Sequence, residues 1–238
     1  ATKVFFQNHD DFKMFVDERL VQKEKCDILP GSGVDITRFM PVKKNDDGMF
    51  RFLLASRMLW AKGVQEFVDS AKIIKAKHEN IEFQLLGHLD MASPTAISKE
   101  QMDTWVDDGY VKYLGSSDDV RVEISQADCI VLPSFYREGV PRILLESASM
   151  EKPIITTNNI GCKNVVDDGL NGYLCEVRNS QDLADKMEIM INLDNNERKS
   201  MGKAGRIKMI NKFDEKIVIN KYLFTVESIF NLKPVTDC

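Results

Sequence analysis

The chain has 238 residues, of which 43% are hydrophobic and 29% are charged, and these fractions are ordinary for a soluble globular protein. The formal net charge of −5, with no basic tract interleaved with aromatic residues, argues against a nucleic-acid partner. No apolar run approaches the ~20 residues that a membrane-spanning helix requires.

The cysteines and the amino terminus indicate the setting of the protein. The five cysteines are scattered and form no CxxC pair, which favours reduced thiols in a cytoplasmic protein over a disulfide framework or a zinc site. The chain begins with Ala1 on an apolar stretch typical of a strand, without an initiator Met and without the layout of a signal peptide. We therefore expect this sequence to be a piece of a longer protein.

The first 44 residues predict a short β-α-β unit. Its elements are a strand over residues 3–7, a helix over about 10–22 and a strand over 26–30. Asn8 or Asp10 is the expected helix cap, and the second strand closes on the glycine turn at 30–33. The polar break at 45–48 places the start of the main domain just before it.

From residue 50 onward, predicted strands and amphipathic helices alternate. The strands cover residues 50–55, 81–86, 110–114, 129–133, 153–157 and 173–177, and the closing helices cover about 180–193, 196–211 and 215–230. Repeated βα units predict an α/β fold with a doubly wound parallel sheet, Rossmann-like, followed by carboxyl-terminal helices.

One loop organises the functional interpretation. It is polar, contains glycine, and joins the strand at 129–133 to a helix that starts at Val140-Pro141. Ligands bind at the carboxyl ends of strands in open α/β sheets, and a helix start attracts anions. Glu138 in the loop and Glu146 among apolar helix residues bracket this turn. A carboxylate on an apolar face needs partners such as ligand hydroxyls; the alternative for Glu146 is a salt bridge to Arg142 one turn earlier.

Two cations follow the first strong strand. Arg57 and Lys62 could hold a diphosphate, Arg57 as a fork and Lys62 as a point charge, or they could be solvated surface charges, as most such residues are. The glycine turns at 31–33, 161–163 and 168–169 could approach a phosphate or sugar, although isolated turns of this kind are usually structural.

Several other site classes are disfavoured. No GxGxxG follows the first strand and no GxxxxGK[ST] is present, which argues against a nicotinamide or flavin site and against a P-loop. His9, His78 and His88 lack metal-ligand spacing and are interpreted as surface or loop histidines.

Taken together, these stretches resemble the carboxyl-terminal half of a retaining glycosyltransferase of family 4, with GT-B architecture. The resemblance is carried by residues 52–57 with 62–64, the E-x7-E spacing from Glu138 to Glu146, and the stretches at 152–157, 161–172 and 205–206. It is strongest to bacterial enzymes that extend lipid-linked oligosaccharides for capsule, O-antigen or glycoprotein assembly, and their donor is commonly a UDP-sugar.

The resemblance implies roles for individual residues. Arg57 and Lys62 would neutralise the donor diphosphate and the charge developing on the leaving group, and Glu138 would bind donor-sugar hydroxyls, so these three are the expected catalytic residues. The other implied donor contacts are the amides of Gly139 and Val140 beside the sugar, amides near Ile143 and Leu144 at the distal phosphate, Glu146 at the ribose, Leu114 at the base, and Gly33 in the cleft. The resemblance implies no metal and no cofactor other than the UDP-sugar substrate.

It also implies a division of the chain. Residues 1–44 would be a remnant of the amino-terminal domain with the interdomain linker, 45–213 the donor-binding domain, and 214–238 a crossover helix and tail. The saccharide or lipid-linked acceptor would bind mostly on the missing domain, so we expect this chain to bind a nucleotide-sugar weakly without transferring the sugar. The crossover helix should expose part of its apolar surface, around 224–230. A cytoplasmic location follows for the complete enzyme, with peripheral association at the inner face of the membrane left open.

One departure and two alternatives accompany this resemblance. Many relatives have glycine where this chain has Glu151, which we interpret as a subgroup marker. A GT-B sugar-nucleotide epimerase shares the architecture but requires catalytic carboxylates and histidines that are not evident. A non-catalytic Rossmann-like binding module would not need Arg57, Lys62, Glu138 and Glu146 intact.

Overall fold

The protein is described from a computed structural model that covers residues 1–44, 47–89 and 93–230. Its strands are β1 (Val4–Phe6), β2 (Cys26–Ile28), β3 (Phe50–Ala55), β4 (Ile81–Leu86), β5 (Lys112–Tyr113), β6 (Cys129–Leu132), β7 (Ile154–Thr157) and β8 (Gly172–Cys175). Its helices are α1 (His9–Asp17), α2 (Val64–Lys75), α3 (Lys99–Asp107), α4 (Arg121–Gln126), α5 (Arg142–Ser149), α6 (Ser180–Asn192), α7 (Asn195–Lys208) and α8 (Glu215–Phe230). Asn45 and Asp46 of the polar break, part of the loop after β4, and the tail with Cys238 lie outside the described residues.

The main sheet confirms the predicted doubly wound α/β fold. Its six strands are all parallel and lie in the order β5-β4-β3-β6-β7-β8. Counted within this sheet, the order is 3-2-1-4-5-6, the arrangement of dinucleotide-binding folds. From β3 the chain adds strands β4 and β5 on one side, and then β6, β7 and β8 on the other side. The topological switch point therefore lies between β3 and β6, which pair through Phe52 with Cys129 and Leu53 with Ile130. A crevice for ligands is therefore expected above the carboxyl ends of these two strands.

Two apolar cores sandwich the main sheet. Side chains alternate along β3, so Phe52 and Leu54 enter one core with helix α2, whereas Leu53 enters the other with helix α5. The β3 residues Phe52, Leu53 and Leu54 are fully buried. This burial on both faces explains why the central strands are continuous apolar runs in the sequence.

The amino-terminal unit forms a separate two-stranded parallel sheet, β1 with β2. Helix α8 packs against it: the rings of Phe5 and Tyr222 lie 5.0 Å apart, and the Lys221 ammonium donates to the Ile28 carbonyl at 2.7 Å. Helix α8 also exposes large apolar side chains, including Phe224 (72%) and Phe230 (68%). None of the helices in the described ranges combines the length and apolarity needed to cross a membrane.

Some element boundaries differ from the predicted ones for local physical reasons. Helix α1 ends at Asp17 instead of continuing to about residue 22, because Arg19 adopts a left-handed backbone with φ 55°. Strand β5 keeps only Lys112–Tyr113 of the predicted 110–114, as the backbone amide of Tyr110 is used to close the end of helix α3 by donating to Trp105. Helix α7 ends at Lys208 and continues as a π-helical turn, Met209–Phe213.

The backbone conformation at Glu151 explains why many relatives have glycine at this position. Glu151 has φ 58°, in the left-handed region where a Cβ atom is unfavourable and glycine is not. It lies in the turn between α5 and β7 and packs against α7: a Cβ on Gly202 of α7 would lie 2.0 Å from the Glu151 carbonyl oxygen. The position therefore favours glycine because of its backbone conformation.

Candidate active site

The loops after β3 and β6 meet above the carboxyl ends of these strands, at the position expected for the crevice, and are joined by hydrogen bonds. The amides of Phe135 and Tyr136 both donate to the Ala61 carbonyl, at 3.1 and 3.2 Å, and the Ser134 hydroxyl oxygen lies 3.2 Å from the same carbonyl oxygen. The short 3₁₀ turn Trp60–Lys62 presents this carbonyl. The two predicted parts of the site are thus one connected structure.

Gly63 allows this close approach. Its φ is +76°, and a Cβ atom at this position would lie 2.1 Å from the Pro133 carbonyl oxygen at the end of β6. Any side chain would force the two loops apart. Gly63 also closes the 3₁₀ turn, since its amide donates to the Trp60 carbonyl at 2.9 Å.

The predicted Lys62 and Glu138 form an ion pair where the loops after β3 and β6 meet. Their side chains are only 15% and 14% exposed. The Lys62 ammonium and the Ser134 hydroxyl, the latter at 3.0 Å, both donate to Glu138 Oε1. Within the part of the chain that the structure describes, Lys62 has one anionic partner and Glu138 Oε2 accepts no hydrogen bond, so the ammonium has donors for a second anion and Oε2 has lone pairs for hydroxyl donors. A cation and a hydrogen-bond acceptor are therefore held side by side.

Arg57 lies on the same loop as Lys62, just after β3, and is exposed. Its backbone carbonyl accepts from Leu59 and from the Ser56 hydroxyl, both within 2.9 Å, which fixes the start of the loop. Among the described residues its guanidinium has no acidic partner. It is therefore available to an anionic ligand.

The start of helix α5 provides backbone donors beside Glu138. Pro141 is the cap residue, and the side chains of Val140 and Leu144 are buried in the core. The Leu144 amide donates to the Pro141 carbonyl at 3.1 Å, so a phosphate at Leu144 would have to share that group. Ile143 lies in the first turn, where amides have no partner within the helix.

Glu146 is both largely buried on an apolar helix face and paired with Arg142, so both predicted environments are present. Its side chain is 12% exposed, and one oxygen lies 3.3 Å from the Arg142 guanidinium, so the salt bridge one turn away is present. Burial raises the pKa of Glu146, and the charges of Arg142 and Arg38 oppose that rise only in part. The buried carboxylate therefore remains short of stabilising partners, as a ligand-binding group would be.

Gly33 has a structural reason for being glycine. Its φ is +72°, and a Cβ would lie 2.5 Å from the Cα of Glu215 at the start of α8. The Glu215 amide also donates to the Val34 carbonyl at 3.1 Å. Gly33 borders a polar cavity of about 330 Å³, whose walls include Arg38 and Arg142. Contact with a donor at Gly33 stays a prediction.

The predicted base-pocket residue Leu114 follows β5 and is half-buried. Its amide extends the sheet by donating to the Leu85 carbonyl at 2.8 Å. The neighbouring Tyr113 hydroxyl donates to the Gly87 carbonyl at 2.7 Å, and burial raises the pKa of Tyr113. These bonds hold the ends of β4 and β5 together on the outer side of the crevice.

The structure adds residues that the sequence did not single out. Ser134 orients Glu138, and Gln7 and Asn8 reach the same loop from the amino-terminal unit. The only sequence signal for Asn8 was its helix-cap pattern, which the structure confirms. Its contact with a loop about 130 residues away had no local signal.

Comparison with known proteins connects this geometry to a family. Residues 50–192 match the family model described as glycosyl transferases group 1. The chain is 28% identical, over 235 residues, to an N,N'-diacetylbacillosaminyl-diphospho-undecaprenol alpha-1,3-N-acetylgalactosaminyltransferase of Campylobacter jejuni, covering 94% of this chain and 59% of that protein.

Solved structures show the same fold. Anabaena HepE, solved in complex with UDP, superimposes with a TM-score of 0.82 at 18% identity over 96% of this chain and 64% of that one. A carboxyl-terminal domain of a group 1 glycosyl transferase (LpcC) of Francisella tularensis gives 0.64 at 22% identity, over 76% of this chain and 99% of that one.

The chain thus spans about three fifths of the length of the full proteins compared here. Its six-stranded parallel sheet with carboxyl-terminal helices corresponds to the carboxyl-terminal domain of the GT-B architecture. Because the family model matches more than half of its residues, the chain belongs to the group 1 glycosyltransferases, family 4.

Proposed function

We propose that this domain binds the UDP-sugar donor of a retaining, metal-independent glycosyltransferase that extends a saccharide acceptor, carried on a lipid, in bacterial surface-glycan synthesis. The observation that supports this most is the shielded Lys62–Glu138 pair at the sheet's switch point. A diphosphate and a sugar placed there would meet complementary groups.

Arg57 and Lys62 would bind the diphosphate. A diphosphate carries two negative charges, and Lys62 and Arg57 supply two positive ones from a single loop. As the bond to the sugar breaks, negative charge grows on the diphosphate, so cations fixed nearby stabilise the transition state more than the ground state. This electrostatic role can be filled without a bound metal.

The other contacts would orient the donor. Glu138 Oε2 would accept from sugar hydroxyls, while Ser134 and Lys62 hold the carboxylate in place through Oε1. Glu146 would accept from the ribose hydroxyls and so gain the partners that its buried carboxylate lacks. Leu114 would line the pocket for the uracil base.

The proposal includes the division of the chain. Residues 45–213 would form the donor-binding domain, 1–44 would be a remnant of the amino-terminal domain with the interdomain linker, and 214–238 would be a crossover helix and tail. The acceptor would bind on the amino-terminal domain. The chain should accordingly bind the donor without catalysing transfer. Sugar transfer to a lipid-linked acceptor by this chain alone would contradict this part.

Calorimetric titration with UDP, GDP and dTDP tests the donor site. We expect UDP to bind with Kd between ~10 µM and ~1 mM, equivalent to roughly 4–7 kcal/mol. Binding should be lost in the double variant Arg57→Ala, Lys62→Ala. Lys72→Ala is the matched control, since Lys72 forms an ion pair with Asp69 on the exposed surface of α2.

The outcomes separate the competing interpretations. Binding of GDP in place of UDP would retain the site and change the donor class. Binding that persists in the double variant would place the nucleotide elsewhere. No binding of any nucleotide would favour the non-catalytic binding module.

A further inference from the structure

The segment after β1 lies across the candidate site. Asn8 is only 1% exposed and caps α1 by accepting the Asp11 amide at 2.7 Å. Its side-chain amide also lies 3.4 Å from the Glu138 carbonyl and 3.3 Å from that of Gly139, and donates toward both. Asn8 thereby fixes the position of this segment against the donor loop.

Charged pairs on either side strengthen the same junction. The Arg137 guanidinium donates to Asp11 at 2.6 Å, and the Lys163 ammonium lies 3.4 Å from Asp10. Two elements distant in sequence are therefore joined by both polar and ionic contacts directly at the loop that carries Glu138.

Gln7, next to Asn8, reaches into the loop. Its side-chain oxygen accepts a hydrogen bond from the Val140 amide, at a nitrogen–oxygen distance of 3.3 Å. A Cβ on Gly139 would lie 2.0 Å from this same oxygen, so the glutamine amide covers the face that Gly139 leaves open. These are the backbone groups assigned to the donor sugar above.

We propose that Gln7 is a gate at the donor-sugar position: its amide oxygen holds the Val140 N–H and must move aside when a UDP-sugar binds. This inference rests on the proposed function. One amide hydrogen makes one good hydrogen bond, so Gln7 and a donor oxygen compete for it. The glutamine is neutral and exposed, and its bond is long, so its release costs no more than one weak neutral hydrogen bond.

Two substitutions have opposite expected effects. Gln7→Ala removes the competitor, so the Kd for UDP-glucose should fall by about two- to five-fold, the value of one neutral hydrogen bond. Gln7→Glu keeps the shape and adds a charge that accepts more strongly and repels the diphosphate, so the Kd should rise by about ten-fold. UDP without a sugar should respond less to Gln7→Ala. Gln22→Ala, at another exposed glutamine, is the control and should change nothing.

A second measurement does not depend on nucleotide. Hydrogen exchange of the Val140 amide, followed by NMR without ligand, should be faster in Gln7→Ala than in the wild type and in Gln22→Ala. Unchanged exchange would show that the contact is not made, and would overturn the gate.

The binding outcomes distinguish the gate role of Gln7 from the proposed donor-binding function. If wild type binds UDP-glucose and Gln7→Ala weakens it, Gln7 is a donor-binding residue and the gate is wrong while the proposed function stands. If wild type binds no nucleotide while the Val140 exchange responds to Gln7→Ala, the contact is real but the proposed function fails, and the gate fails with it.

Discussion

At the scale of single residues, Lys62 and Glu138 have opposite effects on a bound diphosphate although their side chains are in contact. The ammonium is needed by the diphosphate, whereas the carboxylate repels that group and is needed by the sugar. Both side chains are shielded from water, so their charges act strongly on a ligand. Affinity for the nucleotide and selectivity for its sugar should therefore be separable by substitution.

Glu138→Gln should reduce selectivity for the sugar without reducing affinity for the nucleotide. The amide leaves Lys62 without its negative partner, so UDP should bind as well as before or more tightly. The neutral amide is a weaker acceptor for sugar hydroxyls, so the preference for UDP-sugar over UDP should fall by about ten-fold, the difference between a charge-assisted and a neutral hydrogen bond. Calorimetric Kd ratios measure this, with Glu79→Gln, an exposed loop glutamate, as the control. An unchanged ratio would remove Glu138 from the sugar site.

Glu146→Gln tests the cost of burying the Glu146 carboxylate through the pH dependence of stability. Burial raises the pKa of Glu146 in the folded protein, so the folded state holds this proton at pH values where the unfolded chain has lost it. Stability contributed here is present below the unfolded-state pKa and declines as the pH rises through the folded-state pKa. The variant should thus match the wild type at low pH and have a higher Tm near pH 7, measured by calorimetry.

The same substitution should weaken nucleotide binding although it raises the Tm. Glu146→Gln should weaken UDP binding but leave binding of a 2′,3′-dideoxy-uridine diphosphate nearly unchanged, since that ligand has no ribose hydroxyls to donate. An equal loss for both ligands would show that Glu146 does not contact the ribose. A wild-type Tm advantage at pH 7 would show that the Arg142 ion pair outweighs the burial cost.

At the scale of elements, the turn between α5 and β7 stores backbone strain at Glu151. Glu151→Gly should relieve the left-handed conformation, and the gain should exceed the greater chain entropy of glycine. We expect stabilisation of about 0.5–1 kcal/mol, seen as a higher Tm. Glu79→Gly, at an exposed position without positive φ, should not stabilise. A lower Tm for Glu151→Gly would show that the Glu151 side chain contributes more than its backbone costs.

The elements themselves were predictable where burial dominates. The β3 and β6 runs are buried on both faces, and this leaves an unbroken apolar signal. Strand and helix ends were less accessible, because they depend on single backbone conformations such as that of Arg19 or on tertiary hydrogen bonds. The E-x7-E spacing located the loop and α5, since both glutamates lie close to one helix start.

At the scale of the whole molecule, the site depends on contacts that no local pattern encodes. Lys62 and Glu138 are 76 residues apart and meet only because β3 and β6 are neighbours at the switch point. In the Rossmann-like order 3-2-1-4-5-6 the first and fourth strands are neighbours, so their proximity could be expected once that fold was inferred. The position of Gln7 could not, because it depends on how the β1–β2 unit docks on the main domain.

The location of the donor is the central claim, and NMR shift mapping of the ¹⁵N-labelled chain during titration with UDP tests it most directly. Amides in the two loops of the crevice, such as Lys62, Val140 and Ile143, should shift with one common Kd. Amides at the amino edge of the sheet, such as Phe50 and Asp128, should stay in place. Shifts confined to the amino edge, with the crevice unchanged at saturation, would contradict a donor site at the switch point.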